Sequence, residues 1–98
     1  MANITKTQII KRAGEISQKI SDGKYDEAKD ELETLKDEVR EEADNIEPYD
    51  GKNDLTPAQE ERQEWLNETA DTLDSVYDEL ESAIETINEQ ADELTSIG

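Results

Sequence analysis

From Leu66 to Leu94, apolar residues recur at alternating four- and three-residue steps through Ala70, Leu73, Tyr77, Leu80, Ile84, Ile87 and Ala91, with no Gly or Pro among them. The mean step of about 3.5 residues is the period at which a helix keeps one seam turned toward a partner helix. In the same stretch Glu64, Asp71, Asp78, Glu85 and Asp92 stand seven apart, so an acidic row runs along the helix on a different line from the seam. Such a segment commits the chain to helix-on-helix packing, because the two-residue period of a strand would scatter both patterns.

The rest of the sequence supplies the partner helices. Thr5 and Gln8 have the spacing of a capping box, and Ile9, Ala13, Ile16 and Ile20 follow on one face, which predicts a first helix over about 5–21. Asp22-Gly23 ends it. Gly14 lies mid-helix, where it costs about 1 kcal/mol against Ala unless another helix approaches closely. Tyr25, Ala28, Leu32, Leu35, Val39, Ala43 and Ile46 form the stripe of a second helix, about 24–46, stopped before Pro48. Residues 47–56, with Asp50-Gly51, read as a turn. Thr56, Pro57 and Gln59 start a third helix over about 57–96, roughly 60 Å long. Trp65, Val76, Ala83 and Ile97 widen its apolar face.

The expected fold is all-α, one helical domain over residues 1–98. It is an elongated three-helix bundle or antiparallel helical hairpin with one long C-terminal helix and a coiled-coil-like seam. Two layouts satisfy the lengths. Either the helices run up, down and up with the end of the third overhanging, or the first two lie end to end along the third. Both leave seam uncovered, so a homodimer through Leu80, Ile84, Ile87 and Leu94 is expected.

Composition removes whole classes of chemistry. There is no Cys and no His, hence no thiolate and no imidazole to act as nucleophile, general base or metal ligand. Carboxylates on bare helix faces lack the burial that tunes an acid or base, so no catalytic residue, metal or cofactor is expected. Asp50, Asp54 and Glu61 suggest a calcium loop only superficially, since Lys52 takes a ligand position and Leu55 stands where the loop needs Gly. No apolar run is long enough to cross a membrane, and residues 1–20 have no continuous apolar segment of a signal peptide; the cytoplasm (of a host cell, if phage-encoded) is the expected compartment.

The charge is the functional clue. The chain has a net charge of −18, unevenly divided. Residues 1–24 carry +3, with Lys6, Lys11, Arg12, Lys19 and Lys24 against Glu15 and Asp22; residues 25–98 carry −21. Asp30, Glu33, Asp37, Glu41 and Asp44 form a second acidic row on the second helix, and the third helix holds thirteen acids and one base, Arg62. Like charges three or four apart cost a helix about 0.2–0.5 kcal/mol per pair, and solubility needs much less net charge. Repulsion retained in this way points to a cationic partner. The two rows together are the expected contact surface, and a basic nucleic-acid-binding protein is the expected partner, with no direct binding of nucleic acid.

In size and charge the chain resembles the small acidic inhibitors that phages use against restriction, CRISPR or DNA-repair enzymes. The resemblance implies a nucleic-acid mimic that fills the DNA- or RNA-binding site of a host protein. A helical assembly protein with merely solvated outer faces is the alternative. Salt adaptation fits less well with seven Lys and nine Ile. The chain also resembles secreted helical hairpins of the WxG type in its length and in Tyr77 to Glu81, a tyrosine followed four residues later by an acid. It departs from them in having Tyr49-Asp50-Gly51 and no Trp at the turn, in an extra first helix, and in placing Tyr77 inside the third helix instead of after it. Lys11, Arg12 and Lys19 are expected to pair with the other helices and fix their register. Tyr25 and Trp65 are expected in the seam, and Tyr49 is a candidate contact.

Overall fold

The computed structural model describes residues 4–97. Three helices account for most of them: α1 Lys6–Ser21, α2 Tyr25–Asp44 and α3 Pro57–Thr95. α1 and α3 both begin with complete capping boxes. The Thr5 hydroxyl accepts from the Gln8 backbone N–H while the Thr5 N–H donates to Gln8 Oε1, and Thr56 and Gln59 repeat the arrangement. Ile4 and Ile9 flank the first cap at the positions of a hydrophobic staple, and both are buried. α2 starts with no side-chain cap at Lys24; Asp26 and Glu27 in its first turn complement the positive helix end instead.

The ion pairs fix how the helices run. Lys29, Lys36, Arg40 and Glu42 of α2 meet Glu81, Asp74, Asp71 and Arg62 of α3, so one number rises as the other falls and the pair is antiparallel. Arg12 to Glu38, and Lys19 to Glu27 and Glu31, set α1 antiparallel to α2 in the same way. The Lys6 ammonium lies 4.8 Å from the Trp65 ring centre, and Arg62 donates to the Ile4 carbonyl, which brings the beginnings of α1 and α3 together. The layout is therefore up, down and up; the end-to-end alternative is excluded. The rod measures 73 × 20 × 20 Å.

Its core is a single thin column. Ile9 and Ile16 of α1, Ala28, Leu32, Leu35, Val39 and Ala43 of α2, and Leu66, Ala70, Leu73 and Leu80 of α3 are buried, with Ile4 at one end. Ile20, Tyr25, Ile46, Trp65, Tyr77 and Ile84 pack around them. No buried polar or charged residue interrupts the column among the described residues. α2 covers α3 only as far as Glu81, so the last fourteen or so residues of α3 project beyond the bundle. The connection between α2 and α3 turns at Tyr49–Lys52, where the Lys52 N–H donates to the Tyr49 carbonyl and Gly51 adopts a φ of +79° that favours glycine. Gln59 Nε2 donates to the Glu47 carbonyl and holds the turn against the start of α3.

Among the described residues no helix approaches Gly14, and a methyl group there would meet none of their atoms within 4 Å. Gly14→Ala is therefore expected to stabilise the protein by about 0.5–1 kcal/mol, read as a higher denaturant midpoint at unchanged slope.

Candidate partner-binding surface

Five acids on each of two helices make the candidate surface, and the helical period decides where they point. Asp30, Glu33, Asp37, Glu41 and Asp44 follow steps of three and four along α2 outside its apolar stripe, and all five are exposed. Glu64, Asp71, Asp78, Glu85 and Asp92 of α3 are exposed as well, spread over about 42 Å of helix. Among the described residues, nine of these ten carboxylates take part in no ion pair. Asp71 is the exception: Arg40 Nη2 lies 2.7 Å from its Oδ1. The row on α3 is thus not unbroken, because α2 carries a basic flank, Lys29, Lys36 and Arg40, aimed at the facing flank of α3.

The other internal pairs leave the rows alone. Arg12 and Lys19 reach Glu38, Glu27 and Glu31, acids that face α1 on the inner flank of α2. Lys29, Lys36 and Arg62 reach Glu81, Asp74 and Glu42. Lys11 is exposed and makes no ion pair among the described residues. These partly exposed pairs are each worth at most about 1 kcal/mol, and they act chiefly on register. Sequence reasoning found Arg12 and Lys19; it missed the α2 ladder, although Lys29 and Lys36 stand seven apart on the edge of the stripe.

The aromatic residues are structural or free-standing. Tyr77 lies half-buried within α3, with the Lys29 and Lys36 ammonium groups 5.6 and 5.3 Å from its ring centre. Trp65 and Tyr25 pack on the core. Tyr49 is exposed in the turn. At the junction of α1 and α3, Lys6, Ala58, Glu61, Arg62 and Trp65 line an open groove of about 320 Å³. Among the described residues no group of three or more acids is placed to hold a metal ion, and no helix is long and apolar enough to cross a membrane.

The expected dimer residues divide. Leu80 is buried in the chain's own core and Ile84 packs against it. Ile87 and Leu94 lie on the projecting end of α3 and are exposed.

Among the described residues three groups titrate away from their ordinary values. The Lys19 ammonium is raised above 10.5 by its hydrogen bond to Glu27 and by the charges of Glu27 and Glu31. Lys29 is raised in the same sense by its hydrogen bond to Glu81. Partial burial pushes the Tyr77 hydroxyl above 10.0. Each group holds its proton more tightly in the folded than in the unfolded chain. Their contribution to stability is complete below the unfolded values and is lost as pH rises through the folded ones. The thermal midpoint is expected to fall as pH is raised beyond about 10, which circular dichroism across an alkaline series checks.

No family model, no curated protein and no solved structure matches this chain.

Proposed function

We propose that the protein is an acidic nucleic-acid mimic that occupies the DNA- or RNA-binding groove of a basic protein. This makes it a binding protein and not an enzyme. The observation that carries the reading is the pair of exposed carboxylate rows on α2 and α3: among the described residues nine of their ten acids take part in no ion pair, although five cations of the chain pair with acids outside the rows and a sixth, Arg40, pairs with Asp71. A charge of −18 on a rod 73 Å long is about one charge per 4 Å. Each strand of duplex DNA carries about one per 3.4 Å. A groove lined with Lys and Arg for phosphates can accept carboxylates at this density, and the field of the rod speeds encounter.

Phage-type anti-restriction, anti-CRISPR or anti-repair activity is the biological role this chemistry suits. The test is affinity capture from the host, followed by competition. A captured protein should be displaced by duplex or single-stranded nucleic acid and should lose its own nucleic-acid binding when the chain is present. Capture that nucleic acid does not displace would reject the mimic. An assembly role is the second reading, favoured by the apolar end of α3.

A further inference from the structure

Beyond Ile84, which still packs against the core, the seam of α3 has no covering helix among the described residues. Ile87, Leu94 and Ile97 are 46%, 69% and 76% exposed, yet the segment stays helical to Thr95. Its own energetics oppose this. Glu81, Glu85, Glu89 and Glu93 follow at four-residue steps, each neighbouring pair repelling. The last turn holds Asp92 and Glu93 and no basic residue, so acid sits at the negative end of the helix dipole. A free helix of this length is marginal in water even with favourable residues. Cover from another surface would offset these costs.

The residues bordering the seam indicate the occupant. Along the projecting end they are Ala83, Asn88, Gln90, Thr95 and Ile97, all uncharged. Glu85, Glu89, Asp92 and Glu93 fall on the far side of the helix. Within the bundle the bordering positions are mixed: Asn67, Thr69 and Val76 are uncharged, while Arg62, Asp74 and Glu81 are each in an ion pair with α2. Bordering charges select partners in paired helices. A basic partner helix would be matched by acids at these positions, whereas neutral borders let the end of α3 pair with its own copy without bringing like charges together.

We propose that the occupant is a second copy of this chain, the two projecting ends of α3 pairing antiparallel over residues 84–97. α2 already occupies the seam up to Glu81, so a parallel copy would drive one bundle into the other. In the antiparallel arrangement each projecting end extends the line of the other chain's α2, and Ala91 near the two-fold axis lets the helices approach closely. The shared seam is only about 20 Å long. It buries less than the roughly 800 Å² per partner of a standard stable interface, so the dimer is reversible. This pairing does not depend on the mimic reading.

Sedimentation of the full chain from low-micromolar to low-millimolar concentration tests it. The mean mass should rise from 11.1 kDa toward twice that value. The double variant Ile87→Asp/Leu94→Asp should remain at 11.1 kDa while its bundle still melts cooperatively. With no native Cys, single cysteines report the geometry. Gln90→Cys, near the axis, should form a disulfide-linked dimer under mild oxidation, and Thr7→Cys, at the far end, should not. A mass that never rises, a dimer that survives the double variant, or equal cross-linking at both positions overturns the proposal.

Discussion

Replacing Glu64, Asp78 and Glu85 together by Lys should lower affinity for the cationic partner by about 1000-fold and leave helix content unchanged. All three are exposed and belong to no internal ion pair among the described residues, so their loss removes nothing that holds the bundle. A charge-assisted contact is worth about 1.5 kcal/mol or more, and three of them amount to roughly three powers of ten. The substitutions also raise the net charge by six units, so a matched control is needed. Glu15, Asp22 and Glu47, exposed and outside both rows, carry the same reversal. If binding follows total charge, both triple variants lose it equally; if it follows the row, only the first does. Circular dichroism and a partner titration by calorimetry separate these outcomes.

Truncating the core has the largest effect on stability. Leu35 and Leu66 are completely buried in the column. Leu35→Ala or Leu66→Ala should cost about 2–5 kcal/mol, from lost apolar transfer and from the cavity left behind. A chain of this length has a total stability of about 5–15 kcal/mol, and a core of only twelve buried apolar residues among those described places it toward the lower end. The thermal midpoint should fall by at least about 10 °C, and part of the population should unfold at room temperature. Leu94→Ala at low protein concentration is the contrast. Leu94 is 69% exposed, so its truncation should change stability by less than about 0.5 kcal/mol.

The fold was legible where local chemistry and periodicity agree. Thr5 with Gln8, and Thr56 with Pro57 and Gln59, mark helix starts because their side chains satisfy orphan N–H groups whatever the tertiary context. The four-three alternation marks the seam for a similar reason. The layout was not legible, because a stripe states that a helix is covered and not by what. Arg12 opposite Glu38 and Lys6 over Trp65 decide it, and those contacts join residues far apart in sequence. Leu80 illustrates the same limit. Its place in the pattern equals that of Ile87 and Leu94, but α2 reaches far enough to bury it.

The candidate surface was legible as rows, since seven-residue spacing fixes a line along a helix. The neutralisation of Asp71 was not. It depends on Arg40 of α2 lying opposite that one residue, which only the antiparallel register supplies. Gly14 shows the reverse case: a glycine in a helix invites a packing explanation, and the space around it is empty.

The central claim is that carboxylates fixed in rows stand in for phosphates. Its most direct measurement is the salt dependence of partner binding, with duplex DNA and single-stranded RNA as competitors. If six or more carboxylates replace phosphate contacts, affinity should fall by about a thousandfold or more between 50 and 200 mM salt, and one of the competitors should displace the chain completely. Affinity that barely changes with salt, or a complex that accepts nucleic acid alongside the chain, would contradict it.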